Sequence, residues 1–263
     1  MEMLTRLEIS GFTSIRHLAG LELRPLNVLI GANGAGKSNL IACFKLLNWM
    51  LLAPGNLQLY LGQRGGANIL LHDGATVTPQ ISMELTFATA DQVVAYRFRL
   101  VHAAGDTLVF ADEAVRVAPQ GQPPGDWVVF GAGHREAQLV VRADQGEPTA
   151  RLIHTLLRRC MVYQFHNTAA TARVRQRWNV DDHQHLKEDA ANLAPVLLRL
   201  REHEPQHYAR IVGIIRQIAP FFADFELVPN GGTVLLQWRE RGSDMIFGAH
   251  QASDGALVGP DHP

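Results

Sequence analysis

Apolar residues recur with two different periods along this chain, and the change of period divides it. In Ile81-Ser-Met-Glu-Leu-Thr-Phe87 apolar and polar residues alternate without a fault. Val94, Tyr96, Phe98 and Leu100 repeat the pattern with Arg97 and Arg99 on the other face. Alternation of this kind predicts half-buried strands. Leu4 to Ile9 and Ile15 to Leu23 predict two earlier strands around a Gly11-Phe12 turn. Leu108 to Val117 and Trp127 to Val141 extend the β character, with a break at Gln122-Pro-Pro-Gly125. From Thr149 the spacing becomes helical. Helices are predicted over Thr149 to Cys160 and Asn192 to His203, the second with Pro195 in its first turn. Tyr208, Ile211, Val212, Ile215 and Ile218 mark one face of a third. Phe221 to Val228 and Thr233 to Arg239 read as a hairpin across Pro229-Asn-Gly-Gly232.

Two apolar stretches stand outside this division. Leu26-Asn-Val-Leu-Ile30 is a short run of strand character, and Lys37 to Leu52 is a helix-length run. Together the elements predict an α/β fold. A strand–loop–helix core over 1–55 is followed by an antiparallel β meander over 56–147. A helical, basic lobe covers 148–220, and a hairpin with its trailing segment covers 221–263.

Composition narrows the class. A chain of 263 residues with 47% hydrophobic residues can bury a substantial core. A net charge of −1 gives no global attraction to nucleic acid or membrane, so such binding would need a local patch. Cys43 and Cys160 lie in apolar surroundings and read as reduced, buried thiols. The first residues carry an acid and no apolar run, and Leu46 to Ala53 is too short to span a bilayer. A cytoplasmic protein without a membrane segment is therefore expected.

Between the two outlying apolar stretches lies Gly31-Ala-Asn-Gly-Ala-Gly-Lys37-Ser38, which has the form G-x-x-x-x-G-K-[ST]. Such a loop wraps a nucleoside triphosphate's phosphates in backbone N–H groups. Gly31, Gly34 and Gly36 are expected to take positive φ and come close to the oxygens. Lys37 would place a compact charge between the outer phosphates and Ser38 a hydroxyl on Mg²⁺. A following helix would aim its N-terminal dipole at the same anion. Lys37 is one of only three lysines among 24 basic residues. Gly31, Asn33, Gly34, Ala35, Gly36, Lys37, Ser38 and Asn39 thus form the candidate nucleotide site. The Asn-Lys-x-Asp segment of guanine readers is absent, since Lys45 and Lys187 follow Phe44 and Leu186, which makes ATP the expected nucleotide.

With Ala252-Ser-Asp-Gly-Ala256 near the other end, the chain resembles the RecF/SMC-like branch of ABC-type ATPases. The likeness is closest to the short AAA-family ATPases of bacterial defence and repair loci. Gly11-Phe-Thr-Ser14, Tyr163-Gln-Phe-His-Asn-Thr168, Glu188-Asp-Ala-Ala-Asn-Leu193 and Gly242-Ser-Asp244 resemble the family too. The departures are Thr13 where a basic residue is common, and Ala252 and Ala256 for leucine and threonine. The resemblance implies a P-loop ABC-type head carrying an inserted antiparallel meander and a helical lobe. It implies that Ser253, Asp254 and Gly255 close on the γ-phosphate held by a second head, a homodimer partner or an intact homologue. It also implies a later apolar strand ending Asp-Glu and a switch histidine. After Gly255 the sequence reads Ala-Leu-Val-Gly-Pro-Asp-His-Pro263 and carries neither, so the core strands of the head's C-terminal part are expected to be lacking, with Mg·ATP bound weakly and hydrolysed poorly.

Further residues admit two readings each. Leu108-Val-Phe-Ala-Asp112-Glu113 has the form of a metal-binding strand end, with Asp112 on Mg²⁺ and Glu113 on water, and would make a self-contained NTPase. The antiparallel patterning around it favours an ordinary meander strand. Arg151, Arg158, Arg159, Arg173, Arg175 and Arg177 fall in a stretch without an acidic residue, either a DNA-facing patch or a solvated surface. His183 and His185 alternate as metal donors could, yet no further ligand is spaced to complete a tetrahedral site. Gln63, in a Gly62-to-Gly66 segment read as a loop, is a candidate γ-phosphate sensor.

Overall fold

The alternating stretches of the first half pair into a single sheet. The computed structural model describes residues 2–52, 55–165, 169 and 171–249. Its first six strands are β1 (Met3–Phe12), β2 (Ile15–Glu22), β3 (Gln80–Ala88), β4 (Gln92–Ala103), β5 (Thr107–Pro119) and β6 (Val128–Gly131). They lie in the order β2-β1-β3-β4-β5-β6, with every pairing antiparallel. β1 folds back on β2 and pairs along Met3–Ser10 with β3, so the meander continues the N-terminal strands in one sheet.

The even alternation gives the sheet one apolar face. Leu7, Ile9, Met83, Leu85, Phe98 and Phe110 are buried there with residues of four helices, α1 (Lys37–Leu52), α2 (Asn56–Arg64), α3 (Gln138–Asp144) and α4 (Pro148–Arg158). Each such side chain contributes about 1.5–3 kcal/mol on burial. The other face is polar. Arg116 reaches Glu84 at 2.8 Å, and the Arg97 and Arg116 guanidinium groups stand over the Trp127 ring at 4.2 and 4.3 Å.

Helix α1 lies where its apolar run predicts, burying Cys43, Leu46, Leu47, Met50 and Leu51. Helices α2 and α3 depart from the sequence reading, for a common reason. The 127–141 stretch is β only over Val128–Gly131, then turns helical, because Glu113 on β5 accepts hydrogen bonds from the amides of Gln138 and Leu139 at 2.8 and 3.0 Å. Glu136 does the same for α2, accepting from the amides of Leu57 and Gln58 at 3.0 and 3.2 Å. Caps supplied from 25 or more residues away are invisible to a local pattern. Gln63 consequently lies in a helix and not in a loop.

The stretch Leu26–Ile30 departs most. Its apolar run has strand character, yet it belongs to no sheet. The chain turns out of β2 at Arg24, where the Asn27 side chain binds both the amide and the carbonyl of Arg24 at 3.0 and 2.7 Å. Leu26, Val28 and Ile30 are left 82%, 72% and 89% exposed. A strand exists only as part of a ladder, and among the described residues no backbone hydrogen bond reaches Val28, Leu29 or Ile30.

Residues 1–162 and 163–263 form two separate compact units. In the second, β8 (Phe222–Phe225), β10 (Gln237–Glu240) and β11 (Ile246–Gly248) form a sheet in the order β11-β10-β8, and β7 (Trp178–Asn179) pairs with β9 (Thr233–Val234). The expected hairpin is present, with Phe225 opposite Trp238, but Thr233–Val234 is drawn away to β7. Helices α5 (Leu193–His203) and α6 (Pro205–Ile218) cover it. Asn192, fully buried before α5, donates to the carbonyls of Asp182 and His185 and accepts from the Lys187 amide. Among the described residues no helix is long and apolar enough to cross a membrane.

Candidate nucleotide site

The phosphate-loop sequence forms the tight bend its glycines allow. The Ala35 amide donates to the Ala32 carbonyl at 3.2 Å, and Gly34 and Gly36 take φ of +84° and +88°. The Gly31 expectation is corrected: its φ is not positive, and a Cβ there would make ordinary contact with Ala35 Cβ at 3.5 Å. After Gly36 the chain enters α1, with the Asn39 and Leu40 amides both donating to the Gly36 carbonyl at 3.0 Å. The Lys37 and Ser38 amides, which precede these bonds in the helix, have no intrahelical acceptor and concentrate positive potential at the loop.

Lys37 folds back over that loop. Its Nζ donates to the carbonyls of Gly31 and Ala32 at 2.6 and 2.7 Å, which holds the ammonium above the bend. Residues 31–35 and Ser38 are exposed, and around Gly34 a Cβ would meet nothing within 4 Å. Asn39, on the first turn of α1, donates from Nδ2 to Ser14 Oγ in the β1–β2 turn at 2.7 Å. These groups fit a polyphosphate, with glycine bends that admit close approach, helix amides, one cation and a free hydroxyl. Among the described residues no group of three or more acidic, histidine or cysteine side chains is placed to hold a metal.

Other sequence-predicted residues are elsewhere. Gln63 is exposed near the end of α2. Asp112 faces Arg97 across β5 and β4 at 3.3 Å. Glu113 is fully buried, and its carboxylate accepts from the Tyr96 hydroxyl at 2.9 Å as well as from two α3 amides. Burial pushes this carboxyl above its ordinary range. A carboxylate so engaged cannot position water, and the strand-end reading of Asp112 and Glu113 gives way to a helix cap. Ser253, Asp254 and Gly255 lie outside the described residues, as do part of the Tyr163–Thr168 segment and the trailing residues after Ala249. The six arginines divide between the two units. Arg151, Arg158 and Arg159 are exposed on and just after α4, where Arg159 pairs with Glu2. Arg173 pairs with Asp189 at 3.1 Å and covers the Trp178 ring at 4.8 Å, and Arg175 and Arg177 follow it. His183 is bound to the Val180 carbonyl at 2.7 Å, as a connector residue. Ser14, which ends the Gly11-Phe-Thr-Ser14 segment, is not among the candidate site residues read from the sequence, yet Asn39 brings it beside the loop.

No curated protein matches the chain. Residues 26–118, from the exposed run before the phosphate loop to the end of β5, match the family model described as "AAA domain, putative AbiEii toxin, Type IV TA system", and so are similar to a nucleotide-binding domain of the AAA ATPase type.

Proposed function

We propose that the chain is an ATP-binding head of RecF/SMC-like, ABC type, taking Mg·ATP at Gly31–Asn39. The observation that carries this reading is the posture of Lys37, its ammonium held over the glycine bend at the N-terminus of α1. In it, the amides around Gly34, Ala35 and Gly36 cradle the phosphates, Lys37 exchanges the Gly31 and Ala32 carbonyls for phosphate oxygens, and Ser38 holds Mg²⁺. Asn33 and Asn39 flank the cradle. Bound magnesium would neutralise charge on the outer phosphates. Isothermal titration of the folded chain with Mg·ATP tests this: heat of binding is expected, and Lys37→Ala is expected to abolish it. A Lys37→Ala protein that binds like the parent refutes it.

Hydrolysis in this reading needs two heads, each Ser253–Gly255 segment closing on the other's phosphate loop, and a single chain turns over slowly. Such closure would act on DNA in a cytoplasmic repair or defence role, through arginines such as Arg151 and Arg158, which share one face of α4. A second reading is a nucleotide-gated interaction module without hydrolysis, pairing with a second copy or an intact homologue. The engagement of Glu113 favours it, since the candidate water-positioning carboxylate is committed to capping a helix. ATP-dependent dimerisation without phosphate release distinguishes it from the first.

A further inference from the structure

The β1–β2 turn reaches the phosphate loop from outside the motif. Ser14, exposed at its tip, accepts from Asn39 Nδ2 at 2.7 Å, and its Oγ lies 3.1 Å from where a Cβ on Gly36 would sit. The turn is fixed in place. The Thr13 amide donates to the Leu70 carbonyl at 2.8 Å, and His72 Nδ1 bonds the Thr13 carbonyl at 2.8 Å. Thr13 itself holds φ of +48°, a costly conformation for a β-branched residue that persists only where its surroundings impose it.

A serine hydroxyl accepts through two lone pairs and donates one proton. With Asn39 Nδ2 donating to it, the Ser14 oxygen, beside the bend where α1 begins, keeps its own proton for a further acceptor. A hydroxyl donor at that place, held by a side chain of the nucleotide site, suits an anionic oxygen better than water.

We propose that Ser14 is a phosphate-binding residue: Asn39 fixes its oxygen, and its proton is donated to a polyphosphate oxygen held by residues 31–38. This rests on the nucleotide-binding reading and extends the site to the β1–β2 turn.

Titration with Mg·ATP of the parent, Ser14→Ala, Ser14→Thr, Asn39→Asp and Lys37→Ala tests it, alongside thermal melts without nucleotide. Ser14→Ala is expected to weaken binding about 10-fold with an unchanged melt, as loss of one hydrogen bond to a charged group does. Ser14→Thr keeps the hydroxyl and the affinity. Asn39→Asp weakens binding too, because a carboxylate captures the serine proton. Ser14→Ala binding as tightly as the parent, while Lys37→Ala loses binding, overturns the proposal alone. So does a lowered melt with unchanged affinity, which makes Ser14 a structural pin. Lys37→Ala binding like the parent overturns the nucleotide reading and this proposal with it.

Discussion

The carboxylate of Glu113 accepts a hydrogen bond from the Leu139 amide at 3.0 Å, joining the middle of β5 to the first turn of α3. With the Gln138 amide and the Tyr96 hydroxyl it serves three donors from a fully buried position. Glu113→Ala removes the cap and strands those donors, at a cost of about 2–4 kcal/mol. Urea denaturation measures this. A loss below about 0.5 kcal/mol would show that α3 forms without its remote cap.

The same residue sets a pH dependence. Because burial raises its proton affinity, the folded chain keeps the Glu113 proton at pH values where the unfolded chain has released it. Its contribution to stability is therefore full below the ordinary carboxylate range and declines as pH rises through that range toward the higher folded value. Glu113→Gln, which does not titrate, is expected to flatten this slope in urea midpoints taken across pH 4 to 8. An unchanged slope would assign the titration to another group.

Two glycine substitutions separate backbone conformation from crowding. Gly34→Ala and Gly36→Ala both force a Cβ on a left-handed residue, at about 1–2 kcal/mol. The new methyl at Gly34 meets open space, whereas at Gly36 it presses on Ser14 Oγ. Gly36→Ala is expected to lose more Mg·ATP affinity than Gly34→Ala, as read by titration; equal losses would make backbone conformation the whole effect.

Binding of duplex DNA, if carried by the arginines, should weaken steeply with salt, each lost phosphate contact lowering the logarithmic slope by about 0.9. Arg151→Ala with Arg158→Ala is expected to lower it by nearly two such steps, since neither side chain is drawn into an ion pair among the described residues. Arg173→Ala should change it less, because Asp189 already holds that guanidinium. Gel-shift titrations across salt concentrations read both.

What the sequence makes legible follows from how local each cause is. The strands Gln80–Ala88 and Gln92–Ala103 lie where alternation predicts them, and Lys37–Leu52 is helical where its apolar run begins and ends. The phosphate bend is legible because its chemistry needs fixed residues at fixed spacing. Residues 138–144 and 56–64 are not legible, because glutamates distant in sequence decide their conformation. Asp112-Glu113 misleads for the mirror reason: an acidic pair at a strand end looks catalytic until its acceptors are known to be filled. Leu26–Ile30 carries strand character, yet strandhood also needs neighbours, which no single stretch can encode.

That uncovered run has a practical consequence. Five residues without a charge, facing water on both sides directly ahead of the nucleotide bend, make an adhesive edge. The purified chain should therefore brighten hydrophobic dyes and self-associate as it is concentrated. Leu26→Lys with Ile30→Lys should quench both behaviours while leaving the melting temperature nearly unmoved, since neither side chain packs in the core. In solution this short greasy ribbon, more than the protein's near-neutral charge, would then set how far the chain can be concentrated.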